Sequence, residues 1–260
     1  MLKRWTIVLF FFLLAIPAAC SKLNATQPVP IKKVELMVSA AASLKDAMKD
    51  IKTSFESEKP HVTLTFSFGS SGKLAQQIKQ GAPSDIFLSA SKKDMDRVQE
   101  KGLILKDSLA DFAKNELVLI TNKDSALNVP SFEYIDAKKI NHFAIGEPVS
   151  VPAGRYTQET FQNLKLWDQL QSKFVMGSDI RQVLTYVESG NVDLGVVYSS
   201  DALTSMKVKV LATAKSEWHQ PIVYPSAIIA NSAHADDAKE FIAFLSSEKG
   251  QAILKKYGFK

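Results

Sequence analysis

Five positions in the chain combine the residue types and the placement that a compact anion needs. Ser43 and Ser71 each stand where a strand-like run gives way to a helical pattern, and each offers a hydroxyl. Ala153 and Ile180 open two further helical patterns and offer main-chain N–H groups, and Tyr198 ends the apolar run DLGVVY with a phenol. Helix N-termini leave N–H groups unpaired and carry a partial positive charge, so they attract anions. All five positions supply neutral donors. Such a set suits a fully ionised, compact oxyanion. A ligand that keeps a proton at neutral pH, as phosphate does, needs an acceptor as well, and leaving that proton unpaired costs about 1–3 kcal/mol. Serine near a helix start is also the ordinary choice for a cap, so the weight falls on the repetition of the arrangement.

The elements that must position these residues alternate along the chain. Val34 to Val38 reads as a buried strand ending in Ser39-Ala40-Ala41-Ala42, and Leu44, Met48, Ile51 and Phe55 then share one helix face. Val62–Phe68 reads as a strand that Gly69-Ser70-Ser71-Gly72 ends, before a helix carrying Leu74, Ala75 and Ile78. Asp85–Leu88, Leu117–Thr121, His142–Ile145, Phe174–Met176, Asp193–Tyr198, Val208–Leu211 and Ile222–Ala230 read as further strands. Helices are predicted near Ser91–Lys101 and Asp136, after the Gly146–Gly154 loop, over Ile180 to Val187, and at Ala235–Ser246 and Glu248–Tyr257. The alternation predicts an α/β fold of mostly parallel sheets, with ligands at the carboxyl ends of the strands. Ser43 and Ser71 lie 28 residues apart, and Ala153 and Ile180 lie 27 apart, which predicts two similar lobes.

The chain has 260 residues, 46% of them hydrophobic and 23% charged, as in a soluble globular protein of one large or two modest domains. Lys3 and Arg4 precede the apolar run Ile7 to Ile16, a secretory signal pattern too short to span a bilayer comfortably. Pro17-Ala18-Ala19 lead to Cys20, the single cysteine, in the manner of a lipoprotein signal in which Cys20 is lipidated after cleavage, although Pro17 stands where an aliphatic residue is usual. Ser21 to Lys33, with Pro28 and Pro30, reads as a tether. Of the net charge of +5, +3 remains once Lys3 and Arg4 are removed, and the lysine pairs are dispersed, which argues against a nucleic-acid face.

The segments AAASL (Ala40–Leu44), FGSSGKLA (Phe68–Ala75), GAPSDIFLSA (Gly81–Ala90), VPAG (Val151–Gly154) with Trp167, GVVYSSD (Gly195–Asp201), YPSAI (Tyr224–Ile228) and YGF (Tyr257–Phe259) occur together and in order. In these the sequence resembles the molybdate-binding proteins of bacterial ABC importers, from about Val34 to Phe259. The resemblance implies a two-lobed periplasmic-binding-protein-like fold of type II. Residues 1–19 would be a signal peptide and 20–32 the lipid anchor and tether. Residues 33–114 plus 225–260 would form lobe 1, and 115–224 lobe 2. The strands Leu117–Thr121 and Ile222–Ala230 would cross between the lobes as a hinge, with Pro225 beside it. The resemblance also implies that Ser43, Ser71, Ala153, Ile180 and Tyr198 hold molybdate, and usually tungstate, as the oxyanion. The protein would then be an exported, lipid-anchored monomer without a cofactor, passing its ligand to a membrane permease driven by a cytoplasmic ATPase. Gly72-Lys73 departs from the Ser-Thr of some relatives.

Other chemistries find less support. His61, His142, His219 and His234 show no metal-ligand spacing, and no GxSxG motif is present. Tyr198 stands without a neighbouring tyrosine at its strand end, which weakens a ferric-ion reading. Arg155 and Arg181 stand beside two of the five positions and would suit a carboxylate ligand. Sulfate or a small carboxylate is the alternative ligand, and a hydrolase using Ser71 the remote alternative.

Overall fold

The computed structural model describes residues 33–260; the predicted signal segment, Cys20 and the tether to residue 32 lie outside the described residues. The first sheet is built around β1 (Val34–Ala41). It pairs in parallel with β2 (Val62–Gly69) on one side and β3 (Ile86–Leu88) on the other. Alternation in β2, with Val62 and Leu64 buried and Thr63 and Thr65 exposed, marks an edge strand covered on one face. The second half of β1 is buried throughout because helices cover both faces. β10 (Val223–Ile228) returns antiparallel to β3, and β4 (Ala110–Lys114) closes the order β2-β1-β3-β10-β4. The helices α1 (Lys45–Glu58), α2 (Ser71–Lys79) and α3 (Lys92–Gln99) belong to this half.

The second sheet repeats the plan. β6 (Phe143–Gly146) lies in parallel between β7 (Phe174–Gly177) and β8 (Leu194–Tyr198), and β5 (Leu117–Asn122) runs antiparallel to β8 and to β9 (Val208–Thr213). Its helices are α4 (Pro152–Asn163), α5 (Trp167–Leu170), α6 (Ile180–Glu188) and α7 (Ser199–Leu203). Trp167 packs on Phe174 with ring centroids 4.8 Å apart. The chain closes with α8 (Ala235–Ser246) and α9 (Glu248–Lys256), which pack on the first sheet beside α1. Each sheet thus has four strands in one sense and one reversed, a mixed α/β arrangement that matches the mostly parallel expectation.

Three sequence expectations are corrected. The predicted hinge strands do not cross: β5 lies wholly in the second sheet and β10 wholly in the first. The chain passes between sheets at residues 115–116 and again at 214–222. Pro225 sits inside β10 at the register shift against β4, because proline has no N–H to give to that ladder. No α-helix forms near Asp136; the Ser131 and Asp136 side chains accept the N–H groups of Glu133 and Lys138, closing two single 3-10 turns instead. Strand β4 escaped the sequence because ADFAK is short and half charged, although Phe112 and Ala113 are buried.

The apolar core runs continuously beneath both sheets. In the first half, Phe55 of α1 is 1% exposed and meets Phe241 and Phe244 of α8 edge-on, at 5.1 and 5.5 Å between centroids. This contact docks the C-terminal helices, so Phe55→Ala is expected to lose about 3–5 kcal/mol of stability in urea unfolding. A loss under about 1 kcal/mol would mean that α8 docks by other contacts.

Candidate functional site

The carboxyl ends of the parallel strands in both sheets point toward a shared cleft. Ser43 lies in a 3-10 turn, Ala42–Leu44, that joins β1 to α1. Ser71 is the first residue of α2, directly after β2. Across the cleft, Ala153 follows Pro152 in the first turn of α4, where proline is preorganised and needs no N–H partner. Ile180 is the first residue of α6; the Asp179 cap accepts the N–H groups of Arg181 and Gln182, not that of Ile180. Tyr198 ends β8. All five predicted residues line one cavity between the two sheets. It is small, with a volume of about 10 Å³. None of its lining residues is charged.

The hydroxyls are held by partners that can leave their hydrogens free to donate. Ser71 is fully buried and its Oγ accepts the Ala90 N–H at 2.9 Å, which leaves its own hydrogen free to donate. Ser43 Oγ lies 2.9 Å from the Tyr224 hydroxyl, which in turn accepts from Asn115 Nδ2 at 3.3 Å. With Tyr224 donating onward, the Ser43 hydrogen is also free. Asn115 is fixed in this role because its Oδ1 accepts from Ser199 Oγ and the Glu116 N–H. Asn115 sits in the first crossing between sheets and Tyr224 is the second residue of β10 after the other, so the crossings position Ser43. Sequence reading passed over both, because each looks like ordinary core or loop until the two crossings are seen to meet.

The Tyr198 hydroxyl is buried and has no partner among the described residues. Burial, then the neighbouring Tyr224, pushes its phenol well above the ordinary tyrosine range, so it is a neutral donor. Ser70 also lines the cavity with a buried, unpartnered hydroxyl, which the sequence reading did not single out.

Charges stand around the cavity and tie the two halves together. Arg155 of α4 pairs with the fully buried Asp94 of α3, which Arg97 also contacts at 3.2 Å. Burial raises the Asp94 carboxyl pKa against the opposing pull of Arg155. Arg181 of α6 reaches Asp46 of α1 at 2.7 Å and Asp201 of α7 at 3.4 Å. Both arginines are thus engaged by carboxylates and neither lines the cavity, which removes the sequence-level case for a carboxylate ligand. The Gly72 N–H donates to the Ser150 carbonyl across the cleft at 3.0 Å. A Cβ on Gly72 would lie 2.5 Å from that oxygen, so glycine permits the approach. Lys73 is exposed and lines no part of the cavity.

A cleft closed from two similar halves on a neutral donor set defines a class: solute-binding receptors. A family profile described as bacterial extracellular solute-binding protein matches residues 36–260, and the chain belongs to that family. It is 39% identical to the molybdate-binding protein ModA of Escherichia coli (strain K12), over 86% of this chain and 88% of that one. It is 43% identical, over 100% and 99%, to YvgL of Bacillus subtilis (strain 168), provisionally named an ABC transporter substrate-binding lipoprotein. The periplasmic molybdate-binding protein of Azotobacter vinelandii superposes with a TM-score of 0.78 at 25% identity, covering 86% of this chain and 98% of that one. Membership makes the chain a solute receptor and not an enzyme. The hydrolase alternative falls with it, and the hydrogen-bond partner of Ser71 Oγ is a main-chain N–H, not a histidine.

Asp201 supplies a test of the ionic tie. It is fully buried, and its Oδ2 has no partner among the described residues. Burial outweighs the attraction of Arg181 and pushes its carboxyl up to about 7, above the 3.8 of a free side chain. A raised pKa contributes stability that is complete below about pH 4 and is lost as pH rises toward 7. Asp201→Asn removes this dependence while keeping an acceptor for Arg181. Relative to the parent, the variant is expected to gain on the order of a few kcal/mol between pH 5 and pH 8, read as several degrees in Tm. An equal Tm difference at both pH values would show that Asp201 does not titrate there.

Proposed function

We propose that the chain is an extracytoplasmic receptor that binds molybdate, and tungstate with it, and delivers it to an ABC transporter permease driven by a cytoplasmic ATPase. The carrying observation is a small, uncharged cavity where four helix starts and the unpartnered Tyr198 hydroxyl meet. Its presence in a chain 39% identical to a molybdate-binding protein supports this ligand. Ser43 and Ser71 hydroxyls, the Ala153 and Ile180 N–H groups and the Tyr198 hydroxyl would surround a tetrahedral dianion. Each gives a hydrogen bond to a charged acceptor, stronger than a neutral one. A dianion without protons satisfies every donor. Hydrogen phosphate would set its own proton among groups already committed as donors.

Lobe 1, residues 33–114 plus 225–260, and lobe 2, residues 115–224, would close on the ligand by rotation at the crossings at 115–116 and 214–222. The Gly72–Ser150 contact and the two arginine ties would then hold the closed form. Cys20 would carry the lipid that anchors a monomeric receptor to the outer face of the cytoplasmic membrane, a reading supported by the lipoprotein name of the Bacillus relative.

Thermal unfolding of the mature domain at neutral pH with molybdate, tungstate, sulfate, phosphate or citrate tests the ligand. Molybdate and tungstate alone are expected to raise stability, by about 2.7 kcal/mol at a hundredfold excess over Kd. A shift with sulfate or citrate and none with molybdate would leave the receptor and replace its ligand. Ser43→Ala and Ser71→Ala are each expected to weaken molybdate binding by about 1.5–3 kcal/mol in calorimetry. Unchanged affinity in both would remove those serines from the site. Gly72→Ala, whose Cβ meets main chain across the cleft, is expected to lower affinity at least about tenfold while leaving ligand-free Tm unchanged, because it obstructs closure alone. Parent-like affinity would show that closure does not need that contact.

A further inference from the structure

Ser70 carries a feature that the five predicted contacts do not account for. Its side chain is 4% exposed, its Oγ has no hydrogen-bond partner among the described residues, and it lines the same cavity. Buried hydroxyls are ordinarily satisfied, so an orphan in a small cavity that three other hydroxyls also line points to a partner that arrives from outside the chain. The position makes the omission more pointed. Ser70 is the N-cap of α2, with extended backbone at φ −67° and ψ 139°, where a serine Oγ usually accepts an N–H from the first helical turn. Here the side chain makes no cap bond. The Gly72 N–H, one of the natural cap donors, is given across the cleft to Ser150. The Ser70 carbonyl does serve the helix, accepting the Leu74 N–H at 3.0 Å, so only the hydroxyl is withheld.

We propose that the Ser70 hydroxyl is a further side-chain donor to the bound oxyanion, beside those of Ser43, Ser71 and Tyr198; this rests on the oxyanion reading of the cavity. Consecutive serines divide the work at the start of α2. Ser71 Oγ is tied to the Ala90 N–H and is fixed in place, whereas Ser70 Oγ is free to turn its hydrogen onto the guest. The cross-cleft bond of Gly72 releases Ser70 from capping, so lobe closure and completion of the donor shell are one event.

The test is Ser70→Ala in the mature protein, with molybdate as probe in calorimetry and ligand-free Tm measured alongside. Tyr198→Phe is the companion variant. Ser70→Ala is expected to bind molybdate about 10- to 100-fold more weakly, with any change in ligand-free Tm no larger than the loss of one helix cap. A merely structural serine would give the reverse, a lowered Tm with unchanged affinity, and would overturn the proposal. Unchanged affinity in Ser70→Ala with weakened binding in Tyr198→Phe would also overturn it while leaving the oxyanion site standing. If the parent itself shows no molybdate binding, the oxyanion reading and this proposal fall together.

Discussion

The structure depends on donors that the chain does not satisfy from within itself. An α-helix begins with N–H groups that lack intrahelical partners, and most proteins cap them. Here α2 and α4 begin without a side-chain cap, and the Asp179 cap of α6 passes over Ile180. Two hydroxyls that line the cavity, those of Ser70 and Tyr198, share the condition among the described residues. Unsatisfied buried polar groups lower stability, so the fold has to hold them in place by other means. It does so with two sheets whose strand ends are rigidly paired and a core that is continuous beneath both.

That rigidity also explains the reach of the hinge into the site. The two crossings between sheets meet at Asn115 and Tyr224, and the hydrogen bond between the Tyr224 and Ser43 hydroxyls positions Ser43. Tyr224 is enclosed edge-on by Phe112, Tyr198 and Phe259, so its hydroxyl has one available direction. A rotation at the crossings therefore moves a donor of the cavity as well as a lobe. The ionic ties lie away from the cavity lining, where Arg155 and Arg181 join helices of opposite halves.

Much of this was legible in the sequence, and the reason is local. Helix starts and strand ends announce themselves through hydrophobic period and small residues, which marks Ser43, Ser71, Ala153, Ile180 and Tyr198 in the sequence. These five line one cavity because strands of a parallel sheet end on the same side. What stayed hidden is non-local. The Asn115–Tyr224 pair spans 109 residues, and nothing near either residue signals the other. The placing of the crossing strands fails for the same cause: β5 and β10 are buried along almost their whole length, and only pairing partners reveal which sheet each serves. Ser70 is not marked by the pattern, because the adjacent Ser71 fits the junction equally well.

Charge placement completes the argument. A cationic cavity would attract any anion, protonated or not, and would hold it whether the lobes were open or shut. This cavity is uncharged, so attraction must come from oriented dipoles of helix starts and hydroxyls, which act together only when both halves face the same small volume. The cations that could have supplied indiscriminate attraction are instead spent against Asp94, Asp46 and Asp201. Under the proposed function, discrimination by protonation state would follow from keeping full charges out of the cavity while using them to bring its two walls together.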